Sequence, residues 1–301
     1  MKVEKAKTAV IIIFAVINLL WLFLQQDREK GYILTAEQEN AINGALSLNG
    51  ISLETPLIKD YSPMKELVLK PFNYAALEAI LFDGAEPSRI SEFENFEGTT
   101  KLYNKSQITI HSDRLVFEKE DGLLPGISVK EDDPVPYYTG ITAEEAASLC
   151  DNIINAVKNL GLDLDFVLNY HSGTMNHFIF EYWGLHNGML IPSNSIIFAV
   201  DDYGIANISF YMQIPFEYSA SSRDIYSADE ALLTLIRHIK NDYPDNTDAV
   251  ITDMELVYYL NEKTSYEAVA APHYLFKVKA NRNSAYEDRY YINAYTGQLT
   301  K

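Results

Sequence analysis

The chain has 301 residues, 48% of them apolar, and this length predicts roughly two domains with substantial cores. Its formal charge is -18; residues 1–30 carry five basic and three acidic side chains, a net of +2, so residues 31–301 carry -20. A surface of that charge repels nucleic acid and anionic lipid headgroups, and it either attracts a basic partner or simply keeps the protein in solution.

The first predicted element is a transmembrane helix over residues 8–24, TAVIIIFAVINLLWLFL. The run carries no charge and, as a helix, covers about 25 Å, slightly less than a hydrocarbon core. Lys7 and Gln25 at its ends can reach the interface. Because Lys2, Lys5 and Lys7 precede the run, the positive-inside rule predicts a cytoplasmic N-terminus and an extracytoplasmic remainder.

Two alternatives for this run stay open. A cleaved signal peptide has the same charged start, but the following residues 24–34, LQQDREKGYIL, contain no small-x-small cleavage pattern. A buried core helix is favoured still less, because this run is apolar on every face. The pattern therefore favours an uncleaved, single-pass anchor.

Asn18 is the one strongly polar side chain within the run. An amide in hydrocarbon gains from a hydrogen bond to another helix, so we interpret its helix face as a candidate partner-binding surface. The residues that share this face by three- and four-residue spacing are Phe14, Ala15, Asn18, Trp21, Leu22 and Gln25. The alternatives are an asparagine tolerated on a lipid-facing helix and, for Trp21, an interfacial belt position.

Three later segments each combine an apolar residue with a capping box, which predicts a helix start. The capping pairs are Thr35 with Gln38, Thr142 with Glu145, and Ser227 with Glu230. Apolar residues at helical spacing follow each box. They are Ile42, Ala45 and Leu46; Ala146, Leu149, Cys150, Ile153, Val157 and Leu160; and Leu232, Leu235, Ile236, Ile239 and Tyr243. Asn49-Gly50, Gly161 and Pro244 supply the stops.

Runs of strand-forming residues follow each predicted helix. They cover 66–69, 100–103, 107–110 and 115–118, then 166–170, 178–183, 195–200 and 206–212, then 255–260, 274–279 and 290–293. Turn residues separate them at Asn187-Gly188 and at 201–204. A helix followed by several strands, three times over, predicts an α+β fold with antiparallel sheets and a helix on one face of each.

The acidic stretch 130–138, KEDDPVPYY, contains two prolines and is the predicted linker. It divides the chain into a short cytoplasmic N-terminus with its anchor at 1–30, a first extracytoplasmic domain at 31–136, and a second one at 137–301. The second domain holds two of the helix-plus-strands units.

The chain resembles the YycI regulatory proteins at both ends. At the N-terminus, Lys5-Ala6-Lys7 leads into the apolar run; near the C-terminus, ELVYYL at 255–260 and RYYINAYTG at 289–297 also look like this family. The resemblance implies a single-pass accessory protein of the WalK/YycG histidine kinase, with a YycH-like protein as second partner. The segment 291–297 is also similar to the closing strand and turn of PepSY-type modules.

Candidate chemistry in the sequence is sparse. Six histidines show no H-E-x-x-H or other ligand spacing, so His171, His177 and His186 are interpreted as turn residues in preference to a loop metal site. Asp163 and Asp165 form a carboxylate pair of the kind that glycoside hydrolysis needs, but a solvated strand face is favoured.

No nucleophile elbow, P-loop or dinucleotide fingerprint occurs. Cys150 lies on an apolar helix stripe, which favours inert packing over a nucleophile, and as the single cysteine it excludes an intrachain disulfide. We therefore expect no catalytic residues, no metal and no cofactor.

The sequence favours a non-enzymatic regulator of a membrane histidine kinase, which acts through the anchor and the outer domains. A binding module for cell-envelope ligands or an inhibitor of extracellular peptidases, as PepSY-type units suggest, is the alternative. An envelope hydrolase ranks last.

Overall fold

The computed structural model describes residues 31–82, 85–93, 98–103, 106–119, 141–174, 177–244, 248–260 and 267–300. Within these residues the chain is a sheet-rich, mixed α+β protein with four helices and two sheets. The predicted linker at 130–138 lies outside the described residues.

The helices are α1 Ala36–Leu48, α2 Ala75–Phe82, α3 Ala143–Lys158 and α4 Ala228–Asp242. The strands are β1 Ile51–Leu53, β2 Leu67–Pro71, β3 Arg89–Phe93, β4 Gly98–Tyr103, β5 Ser106–His111, β6 Leu115–Lys119, β7 Asp165–Thr174, β8 His177–His186, β9 Met189–Asp201, β10 Gly204–Tyr211, β11 Gln213–Tyr218, β12 Ala249–Tyr259, β13 Ala268–Lys279, β14 Asp288–Asn293 and β15 Leu299–Thr300.

The three predicted helix starts are confirmed. Thr35, Thr142 and Ser227 are the N-cap residues of α1, α3 and α4, and the side chain of the third helical residue returns to the cap N–H in each. Gly50 and Gly161 follow α1 and α3 with φ of 67° and 73°, left-handed values that suit glycine at a helix end.

The predicted apolar stripes supply the buried side of each helix. The buried members are Ile42 and Leu46 of α1; Ala146, Cys150 and Val157 of α3; and Leu232, Leu235, Ile236 and Ile239 of α4. In addition, α3 buries Ile154, which was not in the predicted stripe and shares a helix face with Cys150 and Val157 by four- and three-residue spacing.

The chain forms two structural units, and each is built from separate segments. The first unit contains the described residues of Met1–Met64, Ser221–Glu255 and His273–Lys301; the second contains those of Lys65–Ala220 and Leu256–Pro272. The predicted domains were continuous ranges, and their boundary at 136 lies outside the described residues. Strand pairing nevertheless joins residues from both sides of that position, since β6 pairs with β10.

In the first unit the strand order is β1-β12-β13-β14-β15. The short strand β1 runs parallel to β12, whereas β14 is antiparallel to both β13 and β15. Helix α1 packs against α4 and β1, and α4 packs against β14. Tyr274 and Phe276 of β13 are fully buried in this core.

The second unit is dominated by an eight-stranded antiparallel sheet with the order β3-β4-β5-β6-β10-β9-β8-β7. Helix α3 packs on β7, β8, β9 and β10, and α2 packs on α3. Cross-strand neighbours on the helix-covered face, such as Phe117, Phe198 and Ile208, are fully buried. The alternate residues Val116, Ile197 and Ser209 are only half-buried, so the opposite face is more open.

Prolines lie where the strand ladders change. Strand β13 pairs with β2 as far as Ala270 and with β14 from His273, on either side of Pro272. The β2–β11 ladder shifts register between Pro215 and Glu217. Each proline thus occupies a position where a missing N–H removes little from the ladder.

Candidate functional site

The predicted partner-binding face of the anchor, from Phe14 to Gln25, lies outside the described residues. In the part of the chain that the structure describes, no helix is both long and apolar enough to cross a membrane. The next two candidate sites were not singled out from the sequence.

One surface of the second unit exposes several large apolar side chains on neighbouring strands. We call Val167 and Tyr170 of β7, together with Ile179 of β8, the hairpin patch. Their exposed fractions are 36%, 43% and 47%, respectively. Strand β7 ends its sheet, and no described strand pairs with its outer edge. Exposed apolar groups at a sheet edge are typical of protein-binding surfaces.

An extra residue in β7 shapes this patch. The β7–β8 register pairs Leu168 with Tyr182 and Tyr170 with Glu181, which leaves Asn169 as a bulge. Its side-chain amide donates to the Glu181 carboxylate at 3.1 Å. Because strand side chains alternate, this bulge brings Val167 and Tyr170 onto the same face, where Ile179 also lies.

A cleft of about 1070 Å³ lies in the first unit. We call it the polar cleft. It is lined by Asn43, Leu46, Ser47, residues 50–53, Asp248 and residues 281–283. These residues come from the end of α1, the turn into β1, the residue before β12, and the loop between β13 and β14.

Several polar side chains of this cleft are not engaged elsewhere in the protein. Within the described residues, Asn43, Ser47, Ser52 and Arg282 make no side-chain hydrogen bond or ion pair. By contrast, the side chain of Asn281 accepts from the backbone N–H of Asn283 at 3.0 Å. The cleft therefore offers free amide, hydroxyl and guanidinium groups to a ligand.

The histidines singled out from the sequence do not assemble. His171 and His177 are exposed, whereas His186 is 6% exposed. Nδ1 of His186 lies 2.9 Å from the Asp163 carbonyl oxygen, and Nε2 lies 3.0 Å from the Asn187 amide nitrogen. Among the described residues, no group of histidine, cysteine, aspartate and glutamate could hold a metal ion.

The carboxylate pair Asp163 and Asp165 is not arranged for hydrolysis. Both side chains are solvent-exposed; Asp165 lies 3.5 Å from the Lys158 ammonium, and the Asp163 carboxylate lies 3.6 Å from His186. The predicted solvated face is confirmed.

Cys150 is a completely buried residue of α3. Its burial, and then the charge of Asp151, raise the pKa of the thiol to about 12. A thiol with that pKa is not an effective nucleophile at neutral pH, and the predicted inert packing is confirmed.

Asp253 and Glu255 form a second carboxylate pair, on β12, that sequence reasoning missed. Burial, followed by the charge of Asp253, raises the pKa of Glu255, and Lys277 opposes this shift. The Lys277 ammonium lies 3.0 Å from the Asp253 carboxylate. This neighbouring charge partner shows that the pair is part of an ion-pair network on the sheet. Alternation along β12 could have suggested the pair, but only the cross-strand partner reveals its environment.

No family model matches the chain, and no curated protein matches it. Solved structures are similar to it, and two of them follow. An uncharacterized protein from Eubacterium rectale ATCC 33656 aligns with a TM-score of 0.50 at 16% identity, over 83% of this chain and 90% of that chain. The C-terminal domain of Bacillus megaterium YpeB aligns with a TM-score of 0.42 at 12% identity, over 77% and 96%. The first likeness shows a shared fold alone, and the second is too distant to support an inference about this chain.

Proposed function

We propose that the chain is a membrane-anchored, non-enzymatic regulator of a two-component sensor histidine kinase of the WalK/YycG type. In this proposal the anchor contacts the membrane part of the kinase, and the extracytoplasmic units bind a YycH-like protein. The helix-plus-strands units led by α3 and α4 are proposed to be PepSY-like. The identity of the partners rests on the resemblance of residues 1–24 and 255–297 to YycI proteins.

The hairpin patch is the structural observation that carries the regulatory proposal. A partner strand that adds to the outer edge of β7 would pair its backbone groups and cover Val167, Tyr170 and Ile179. Such strand addition needs no catalytic residue, and it buries apolar surface that water otherwise contacts. A protein partner is therefore the occupant that this surface fits best.

Crosslinking of the full-length chain in native membranes tests the proposal. The expected products contain a histidine kinase and a YycH-like protein. Replacing Tyr170 with Lys should weaken the second product, because a charged side chain at a sheet edge opposes pairing. Leu233→Lys is the matched control, since Leu233 is also an exposed apolar residue, at 54%, but lies on α4. Loss of the product in both variants, or in neither, would contradict a contact through the hairpin patch.

A second experiment addresses the anchor. Asn18→Leu should weaken crosslinking to the kinase helix and shift kinase output several-fold, since an interhelical amide contributes about 1 kcal/mol. Ile12→Leu keeps the run apolar and should be silent. Replacement of residues 8–24 by an unrelated span of equal length should abolish regulation; unchanged output would restrict the regulatory contact to the outer units.

The polar cleft favours a second candidate function, an extracytoplasmic binding module or peptidase inhibitor. Its free amide and hydroxyl groups could hold an envelope ligand without any kinase partner. Recovery of a peptidase or a wall polymer with the full-length chain, in place of a kinase, would favour this alternative.

A further inference from the structure

The polar cleft of the first unit has the size and the composition of a site for a short oligomeric ligand. Its volume of about 1070 Å³ reaches the upper end of the range for small-molecule sites, about 300–1,000 Å³. Sites for drug-sized ligands are mostly apolar, whereas this one presents amide and hydroxyl side chains. A ligand with repeated polar groups suits it better than a compact apolar molecule.

Arg282 is the cationic side chain among the residues that line the cleft. The residue is exposed on the loop between β13 and β14, and within the described residues its guanidinium has no hydrogen-bond or ion-pair partner. The guanidinium therefore lacks a partner among these residues even though acidic side chains outnumber basic ones in the chain by 42 to 24. A free guanidinium presents a planar fork of donors that matches a carboxylate with two parallel hydrogen bonds.

The other side chains match a peptide. Asn43 can donate to a peptide carbonyl and accept from a peptide N–H, and the hydroxyls of Ser47 and Ser52 can do the same. Asp248 lies in the same cleft, and its negative charge disfavours a ligand with several anionic groups. A cleft lined by one arginine and one aspartate therefore favours a ligand with a single carboxylate over a polyphosphate.

We propose that the polar cleft binds a short peptide that presents one free carboxylate to Arg282. The amides and hydroxyls along the end of α1 and along β1 hold the peptide groups, and the guanidinium holds the carboxylate. This site includes no residue of the hairpin patch or of the anchor. The peptide-binding proposal is therefore tested separately from the kinase partnership.

The test uses the full-length chain and two probes, acetyl-trialanine as the free acid and as the C-terminal amide. Ligand-observed saturation-transfer NMR, titrated to saturation, gives both affinities. The acid should bind up to about fivefold more tightly than the amide, because an exposed arginine–carboxylate pair is worth up to about 1 kcal/mol. Equal affinities for the two probes would overturn the proposal.

Two variants test whether the difference in affinity between the acid and the amide arises in the cleft. Arg282→Gln should reduce the affinity for the acid to that for the amide. The matched control is Arg237→Gln, because Arg237 on α4 is also exposed and likewise has no partner within the described residues. This control should leave both affinities unchanged; an equal loss in both variants would show a general charge effect and overturn the site.

A third variant and a competitor locate the ligand. Asn43→Ala should weaken both probes by a similar factor, since it removes contacts to the peptide groups and not to the carboxylate. Chitotriose should fail to displace the acid. Displacement by this neutral sugar, or normal binding by Asn43→Ala, would exclude a peptide held along α1.

Discussion

The candidate site of the first unit is concave and polar, whereas the hairpin patch of the second unit is an apolar sheet edge. The difference follows from how each unit ends its strands. Turns and loops gather around the start of β12 and enclose the polar cleft, while the eight-stranded sheet simply stops at β7. A cleft suits a small ligand with many hydrogen-bonding groups, and an open edge suits a polypeptide partner.

The two faces of the eight-stranded sheet in the second unit also differ, since one is covered by helices and the other is more open. Phe198 and Ile197 are consecutive residues of β9 that point to opposite faces. Phe198 is fully buried and packs edge-on against Tyr182, with the ring centroids 5.7 Å apart. Ile197 is half-buried.

The largest predicted effect on stability comes from a substitution on the helix-covered face of this sheet. Phe198→Ala should reduce the free energy of opening of β9 by about 3–5 kcal/mol, and Ile197→Ala should cost less than about 2 kcal/mol. Amide hydrogen exchange along β9 and β10 measures both. Equal costs would mean that the open face is covered in solution, and the contrast between the two faces would be lost.

Replacing a glycine with alanine is expected to have opposite effects on stability in the two units. A Cβ added at Gly184 of β8 would lie 2.9 Å from Cβ of Asn194 and 3.0 Å from Cδ1 of Leu164, whereas one added at Gly44 of α1 meets nothing within 4 Å. Gly184→Ala should therefore destabilise the second unit by about 1–3 kcal/mol. Gly44→Ala should stabilise α1 by about 0.5–1 kcal/mol.

Local hydrogen exchange around each position provides the measurement. A neutral Gly184→Ala would show that β8 and β9 can separate at their register shift, which lies between Trp183 and Gly184. A destabilising Gly44→Ala would show that α1 is bound on the side that the structure leaves open.

The sequence predicted features whose signals lie within a few residues. The capping boxes located α1, α3 and α4, and Asn187-Gly188 located the β8–β9 turn, where φ is 49° and 80°. Helix α2 was missed because its apolar residues lack a polar side to give a period, although Asn73 accepts from the Ala75 N–H at 3.1 Å and marks its start. Strands β1 and β15 were missed because three and two residues give no alternation, and β3 and β11 were missed as well.

Features that depend on distant residues were not predictable in this way. The pairing of β6 with β10 joins residues about ninety positions apart, for example Phe117 with Ile208, and no local pattern specifies it. The polar cleft likewise needs three separate segments to meet. The hairpin patch required knowledge of the bulge at Asn169, because plain alternation would have placed Val167 and Tyr170 on opposite faces.

A smaller effect concerns the helix caps, one in each unit. The Thr142 hydroxyl accepts from the Glu145 N–H at 3.2 Å, and the Thr35 hydroxyl accepts from the Gln38 N–H at 3.3 Å. Thr142→Ala and Thr35→Ala should each cost about 1 kcal/mol, and the corresponding glycine variants only a few tenths. Hydrogen exchange of the first turn of each helix checks this, and unchanged exchange in both alanine variants would contradict the capping roles.

The smallest predicted effect is a difference in pH dependence between these two caps. The backbone N–H of Thr142, and then its hydroxyl, lower the pKa of Glu145, whereas Gln38 has no charge to lose. A carboxyl with a lowered folded-state pKa stabilises the helix start above its unfolded pKa of about 4.3, and this contribution is lost as the pH falls through the folded value. Protection of the first turn of α3 should therefore decline on acidification more than that of α1.

Reciprocal substitutions isolate this cause from the other acidic residues of the two first turns. Glu145→Gln should remove the extra acid sensitivity from α3, and Gln38→Glu should confer it on α1. Protection factors, corrected for the intrinsic exchange rate at each pH, give the comparison. If α3 keeps its sensitivity after Glu145→Gln, then Glu144 or a carboxylate elsewhere in the second unit must carry it, because a neutral amide at the third helical position accepts from the cap without titrating.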